Sequence, residues 1–298
     1  MSRHPHFKAY LALAAVCLFW GTTYLTIRMS LESFPPLTLV VARFAISGGA
    51  TLGFAWYRGL HIPRGRELAE ACLAGVLILA IGNGALVVAE TFVPSGLASL
   101  IICMSPFWMV GAEALLPGGE SLHGPTIGAM ALGLAGSALL VTPRGGGAGA
   151  EHKLLVGFLI QQVGMAGWSF GSIYQRRKAG KAHSVVAGGI HQLAAALATA
   201  PFAWLVPHQP IHWSARGVGA LLYLVVFGSL VGYSAYVYVM DRLPVAVVSI
   251  YPYVNSVVAV ALGWLFYREP FGLRESVAMV VIFASVALVK RYSRPAAG

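Results

Sequence analysis

Long apolar stretches alternate with short polar breaks along this chain, and the breaks recur at nearly even intervals. Runs of about 18 or more apolar residues are long enough to cross a bilayer as helices. Ten such runs fall at roughly 8–28, 36–57, 68–89, 93–116, 124–142, 154–175, 183–206, 217–240, 243–267 and 274–291. The pattern predicts an all-α integral membrane protein with ten transmembrane helices. The longest connection runs from Pro143 to Lys153. With no room for a soluble domain, any chemistry must occur within or at the edge of the membrane.

Two stretches resemble each other. Pro94 to Leu122 opens on a proline, contains Pro106 and ends near Glu120; Pro244 to Phe271 repeats the plan with Pro252 and Glu269. A proline inside a helix removes one backbone bond, which a bilayer tolerates only where neighbours or trapped water satisfy the freed carbonyl. These two helices are therefore expected to flank a central polar path, with Pro106 and Pro252 as hinges. The likeness extends along the chain at an offset near 148 to 150, pairing Trp20 with Trp168, Arg28 with Arg176, Ser99 with Ser249 and Glu120 with Glu269. It divides the chain into a first five-helix repeat (1–143), a linker (144–153) and a second five-helix repeat (154–298). Five is odd, so the second repeat must enter the membrane from the opposite side, giving two inverted repeats around a central cavity. Secondary transporters use this symmetry, because halves of opposite orientation can expose one midplane site to each side in turn.

Composition narrows the class. The chain is 58% hydrophobic and 10% charged, against about 25% charged in soluble domains. A net charge of +10 raises the possibility of nucleic acid, yet the Lys and Arg are scattered among short loops, a distribution that orients membrane proteins. Most of the 20 fall on the side of the N-terminus, so both termini are expected in the cytoplasm. Met1 to Lys8 leads into an apolar helix lacking a small-residue cleavage site and reads as a signal anchor. Cys17, Cys72 and Cys103 all lie within predicted helices and suit packing rather than disulfides or metal.

Several faces combine aromatic and hydroxyl groups. Trp20, Thr23, Tyr24 and Ile27 share one side of the first helix. That side fits either a cavity wall or an interfacial aromatic belt, and the depth of Trp20, about 18 Å beyond Lys8 by helical rise, favours the wall. The sixth helix echoes it with Gln161, Met165, Trp168 and Ser172. The fourth carries Gly96, Ser99, Cys103 and Pro106, a stripe that suits close helix packing as well as a cavity. The eighth offers Ser229, Tyr233 and Tyr236; the ninth offers Ser249, Tyr253 and Ser256, with Tyr251 and Asn255 adjacent.

Polar groups at depth admit two readings each. Arg43 lies about 10 Å beyond Pro36 by helical rise and either anchors a neighbouring helix or attracts a substrate carboxylate. Asn83, between two glycines, bonds a solute or bridges helices. His191, beside Gln192, relays protons or is a hydrogen-bonded structural residue. Glu113 and Glu120 are expected to pair with loop arginines. With no carboxylate at mid-depth, carboxylate-based ion coupling is not indicated, and facilitated diffusion is as plausible. Phenols and hydroxyls with hardly a fixed charge suit zwitterionic or amphipathic solutes. No nucleophile-type serine is paired with a suitably placed histidine and no HExxH pattern occurs, and no charged ring marks a channel filter.

The run Phe19-Trp-Gly-Thr-Thr-Tyr-Leu-Thr-Ile-Arg28, Phe34-Pro-Pro-Leu, Arg43, Ser105-Pro-Phe and Glu120, with weaker counterparts Pro252 and Glu269, resembles the EamA branch of the drug/metabolite transporter superfamily. The resemblance implies a ten-helix inverted-repeat carrier of the bacterial inner membrane that exports amino acids or related metabolites, drugs and other amphipathic metabolites being the alternative cargo. Its expected partners are a small-molecule substrate and the lipid bilayer, with no cofactor, metal or nucleic acid, and a monomer as the working unit.

Overall fold

A computed structural model describes residues 7–117, 122–141, 148–178, 183–206, 209–243, 245–248 and 250–292. Glu120, Pro244, Ser249 and the glycine-rich stretch 142–147 lie outside the described residues. Those described form helices and turns, with no strand among them. The helices are α1 (Phe7–Leu31), α2 (Pro36–Tyr57), α3 (Gly65–Ala89), α4 (Ser95–Leu115), α5 (Gly124–Val141), α6 (Ala148–Arg177), α7 (Ser184–Leu205), α8 (Ala215–Met240), α9 (Val245–Val248 with Tyr251–Tyr267) and α10 (Leu273–Tyr292).

Seven of these, α1 to α4 and α6 to α8, are long and apolar enough to cross a membrane. The sequence pattern predicts ten spans. The difference lies in α5, whose apolar part is the shorter Gly124–Leu140, in the 17-residue main piece of α9, and in α10, which carries Arg274, Glu275, Lys290 and Arg291 at its ends. Outward-facing Leu18, Ile46, Phe54, Leu197 and Leu265 give the bundle the apolar exterior a bilayer requires.

Local chemistry sets the ends. Pro36 begins α2, where its missing N–H costs no helix bond, and Pro94 precedes α4 in the same way. Ser214 caps α8, its hydroxyl accepting from the Gly217 N–H at 2.9 Å. Arg268 ends α9 in the left-handed region at φ 52°. Within α1 and α2, Thr23, Thr26, Ser30, Ser47 and Thr51 donate their hydroxyls to carbonyls three or four residues back. Buried hydroxyls are satisfied in this way without a partner helix.

The prolines act at starts of helix pieces. α4 breaks at Cys103–Met104 and resumes with Pro106 in the first turn of its second piece. α9 breaks after Val248 and resumes with Pro252 in the same position. Each proline thus sits where its lacking donor is least costly.

Helix contacts follow a reciprocal plan. α1 packs on α8 and α9, while α6 packs on α3 and α4; α2 meets α7, α4 meets α9, and α5 meets α10. Adding five to each helix number in the first half reproduces the partnerships of the second.

Candidate functional site

In the middle of α3 and of α8 the backbone widens into π-helical turns, at Val76–Asn83 and Leu224–Tyr233. Such insertions are rare and concentrate at functional sites. Each receives a tryptophan from the opposite half. A Cβ on Gly232 would stand 2.5 Å from Trp20 Nε1, and one on Gly82 would stand 3.1 Å from Trp168 Cβ, so both approaches depend on glycine. The Trp20 indole N–H donates to the Gly228 carbonyl at 2.9 Å.

The two indoles then meet edge to face with centres 5.5 Å apart. Tyr236 and Tyr251 complete the cluster at 5.2 and 5.3 Å from Trp20. Trp168 Nε1–H donates to the Tyr236 hydroxyl at 3.2 Å, and Ser172 lies 3.0 Å from the same oxygen. An aromatic cluster fixed by hydrogen bonds at its polar edges is both apolar and rigid.

This cluster borders a cavity of about 720 Å³, counting the part that opens to solvent. Trp20, Thr23, Tyr24, Asn83, Met165, Trp168 and Tyr233 line it, together with Arg43, Phe44, Ser105, Gln161, Tyr251 and Asn255. A smaller cavity of about 350 Å³ adjoins it, and Ser105, Trp168 and Tyr251 line both. Pro106, Pro252 and Tyr236 line the smaller one.

The remaining predicted residues occupy helix contacts. Ser99, Cys103 and Ser256 form the seam between α4 and α9: the Ser256 hydroxyl is 2.6 Å from the Ser99 carbonyl and 3.0 Å from the Cys103 Sγ. His191 places Nδ1 2.9 Å from the Tyr233 hydroxyl, behind the cavity wall. Gln192 donates to the Gly188 carbonyl of its own helix at 3.1 Å, and Tyr253 stacks edge-on with Phe283 at 5.1 Å. Glu113 pairs at 2.6 Å with Arg177, the last residue of α6.

Arg43 is 5% exposed and lines the cavity. Its Nε–H donates to the Ser229 hydroxyl at 2.9 Å, and one Nη to the Asn83 amide oxygen at 3.4 Å. It draws together α2, α3 and α8, with no carboxylate in ion-pair distance among the described residues.

At one end of the bundle, Glu269 crosses from the C-terminal end of α9 to the start of α4. It accepts from the Ser95 N–H and hydroxyl at 2.9 and 2.8 Å and from the Gly96 N–H at 2.8 Å, with Arg28 at 3.6 Å. A carboxylate there satisfies orphan helix donors and complements the helix dipole.

The EamA-like transporter family model matches the chain twice, over residues 7–142 and 155–291. The chain belongs to the EamA-like transporter family. The inner membrane transporter YedA of Escherichia coli K12 is 34% identical over 286 residues, covering 93% of this chain and 89% of that protein. The Bacillus subtilis 168 transporter YvbV is 24% identical, covering 99% and 95%. A probable amino-acid metabolite efflux pump of Escherichia coli K12 is 27% identical over 168 residues, covering 54% and 51%. A crystal structure at 22% identity shares the fold, with a TM-score of 0.69 over 94% of this chain and 95% of that one.

This EamA-like protein is therefore a multi-pass inner membrane transporter rather than an enzyme. Its cavity includes Gln161, Tyr251, Asn255 and Ser105 besides the expected site residues. Gln161 was visible on the face of Met165 and Trp168, and Tyr251 and Asn255 beside the ninth-helix stripe. Ser105 carried no such signal, since it lies where α4 is interrupted.

Proposed function

We propose that this transporter exports amino acids or related small metabolites from the cytoplasm by alternating access. In this reading ten transmembrane helices form two inverted repeats, 1–143 and 154–298, joined by 144–153, and both termini are cytoplasmic. One observation carries it: Trp20 seats on the π-helical turn of α8 while Trp168 seats on that of α3. Reciprocal contacts of this kind let two halves exchange roles about one site. The two family matches and the reciprocal helix partnerships support the same reading.

A solute arriving from the cytoplasm meets the smaller cavity first, passes between Trp168 and Tyr251, and enters the larger one. The residues in contact with it there include Trp20, Thr23, Tyr24, Asn83, Met165, Trp168 and Tyr233. Movement of α4 and α9 about Pro106 and Pro252 opens that passage, while the Glu269 contact at the other end of the bundle stays closed. The cargo class draws support from the amino-acid metabolite efflux pump among the relatives and from a lining rich in aromatic and neutral polar groups.

Proteoliposomes loaded with unlabelled threonine, methionine or phenylalanine should exchange the labelled solute with saturation kinetics. Flux linear in concentration, or no exchange above empty liposomes for all three, overturns this reading.

A further inference from the structure

Resting on the export reading, we propose that Arg43 determines the charge of the cargo by receiving its carboxylate, while Gln161 accepts a hydrogen bond from the cargo's polar donor group. A guanidinium buried in an apolar wall is costly unless an anion and several acceptors face it. Arg43 has two acceptors, Ser229 and Asn83, both uncharged. Among the described residues no carboxylate lies within ion-pair distance of it, and none lines the cavity. More N–H donors remain on the guanidinium than those two bonds use. Its planar fork suits a carboxylate held by two parallel bonds.

The pocket is shaped around this group. A Cβ on Gly228 would stand 2.7 Å from an Arg43 Nη, so glycine at that turn leaves the guanidinium its space. Gly228 also offers its carbonyl to Trp20, which couples the arginine's seat to the aromatic wall. A residue serving only to tie helices together would be better placed with its donors saturated.

Gln161 supplies the opposite polarity. Its amide N–H donates to the Ala98 carbonyl at 2.5 Å, which fixes the side chain, whereas Oε1 is buried without a hydrogen-bond partner among the described residues. An orphan buried acceptor costs stability until something donates to it. The cargo this geometry fits is a zwitterion with an aromatic or aliphatic body: carboxylate to Arg43, ammonium to Gln161, body against Trp20 and Trp168.

Binding of L-phenylalanine, 3-phenylpropionate and L-phenylalaninamide to the purified full-length protein, measured by displacement of labelled phenylalanine, tests this. Wild type should prefer phenylalanine to the amide by about tenfold to hundredfold, the value of a charged hydrogen-bonded contact, with 3-phenylpropionate in between. Arg43→Gln should lose that preference and Arg43→Lys should regain part of it. Equal binding of phenylalanine and its amide to wild type overturns the proposal, as does retained preference in a folded Arg43→Gln protein. Should Arg43→Gln fail to fold, the wild-type series decides alone. If wild type exchanges labelled amines and amides across liposomes as well as amino acids, the carrier reading stands and the role of Arg43 falls; if it exchanges none of the solutes, both fall.

Discussion

Trp20 and Trp168 lie 148 positions apart in the chain, yet their rings meet edge to face at 5.5 Å. Each is seated on a glycine of the other half's π-helical turn. The pair joins the two family-matched segments at the border between the larger and smaller cavities. Replacing either ring by alanine removes a wall as well as a contact, and an aromatic pair adds about 0.5–1.5 kcal/mol beyond its buried area. Trp20→Ala and Trp168→Ala should each lower exchange in proteoliposomes by about tenfold, on the order of one such contact plus lost burial, at normal expression. Undiminished exchange by both variants would remove these rings from the transport path.

The glycines under those rings give a separate prediction. At Gly232 the nearest atom to an added Cβ is Trp20 Nε1 at 2.5 Å; at Gly82 it is Trp168 Cβ at 3.1 Å. The first contact must move and the second must only yield slightly. Gly232→Ala should cost about 1–3 kcal/mol by overpacking and weaken exchange, with Gly82→Ala the milder of the two. Thermal unfolding in detergent checks the order, and a more stable Gly232→Ala protein contradicts it.

Periodicity made much of the bundle legible, because apolar runs and interrupting prolines are local properties. Helix bounds such as Pro36–Tyr57 follow directly from the run and its proline start. The aromatic faces of Trp20 and Trp168 were equally readable, since residues three and four apart share a side. The π-helical turns were not, for nothing in Gly82-Asn-Gly or Gly228 to Gly232 distinguishes a widened turn from close packing. Arg43 could be assigned a depth but not an orientation, which depends on Ser229, 186 positions away. The depth of His191 admits a path residue or a hydrogen-bonded structural one, and its bond to Tyr233 fits the second.

That bond also fixes what His191 contributes. It is 1% exposed, and an unmade buried hydrogen bond costs about 1–3 kcal/mol. His191→Ala and Tyr233→Phe should each reduce thermal stability by about that amount, and the double variant should cost less than their sum, because both remove one contact. His191→Ala should leave the response of exchange to an imposed pH gradient as in wild type. An altered response would return His191 to the proton-relay role that its depth also allowed.

Glu269 and Glu90 are two buried carboxylates with opposite surroundings. Glu269 is held by three donors from Ser95 and Gly96, with Arg28 at 3.6 Å. Both oxygens of Glu90, at the C-terminal end of α3, are buried with no hydrogen-bond partner among the described residues. Removing the first strands helix donors and Arg28, so Glu269→Ala should destabilise the protein by about 3–5 kcal/mol, the usual consequence of breaking a buried charged contact. Glu269→Gln should recover part of this, since an amide oxygen still accepts from backbone N–H groups. Arg28→Ala should cost less, about 1 kcal/mol or below, because its side chain is 35% exposed and solvent screens the charge. Glu90→Gln should be neutral or stabilising, as it replaces an acid that has no hydrogen-bond partner among the described residues and is repelled by Glu269 with an uncharged group of the same shape. Unfolding midpoints of the four variants in one detergent give the ranking, and a Glu90→Gln protein less stable than Glu269→Ala would reverse the assignment of which carboxylate holds the two halves together.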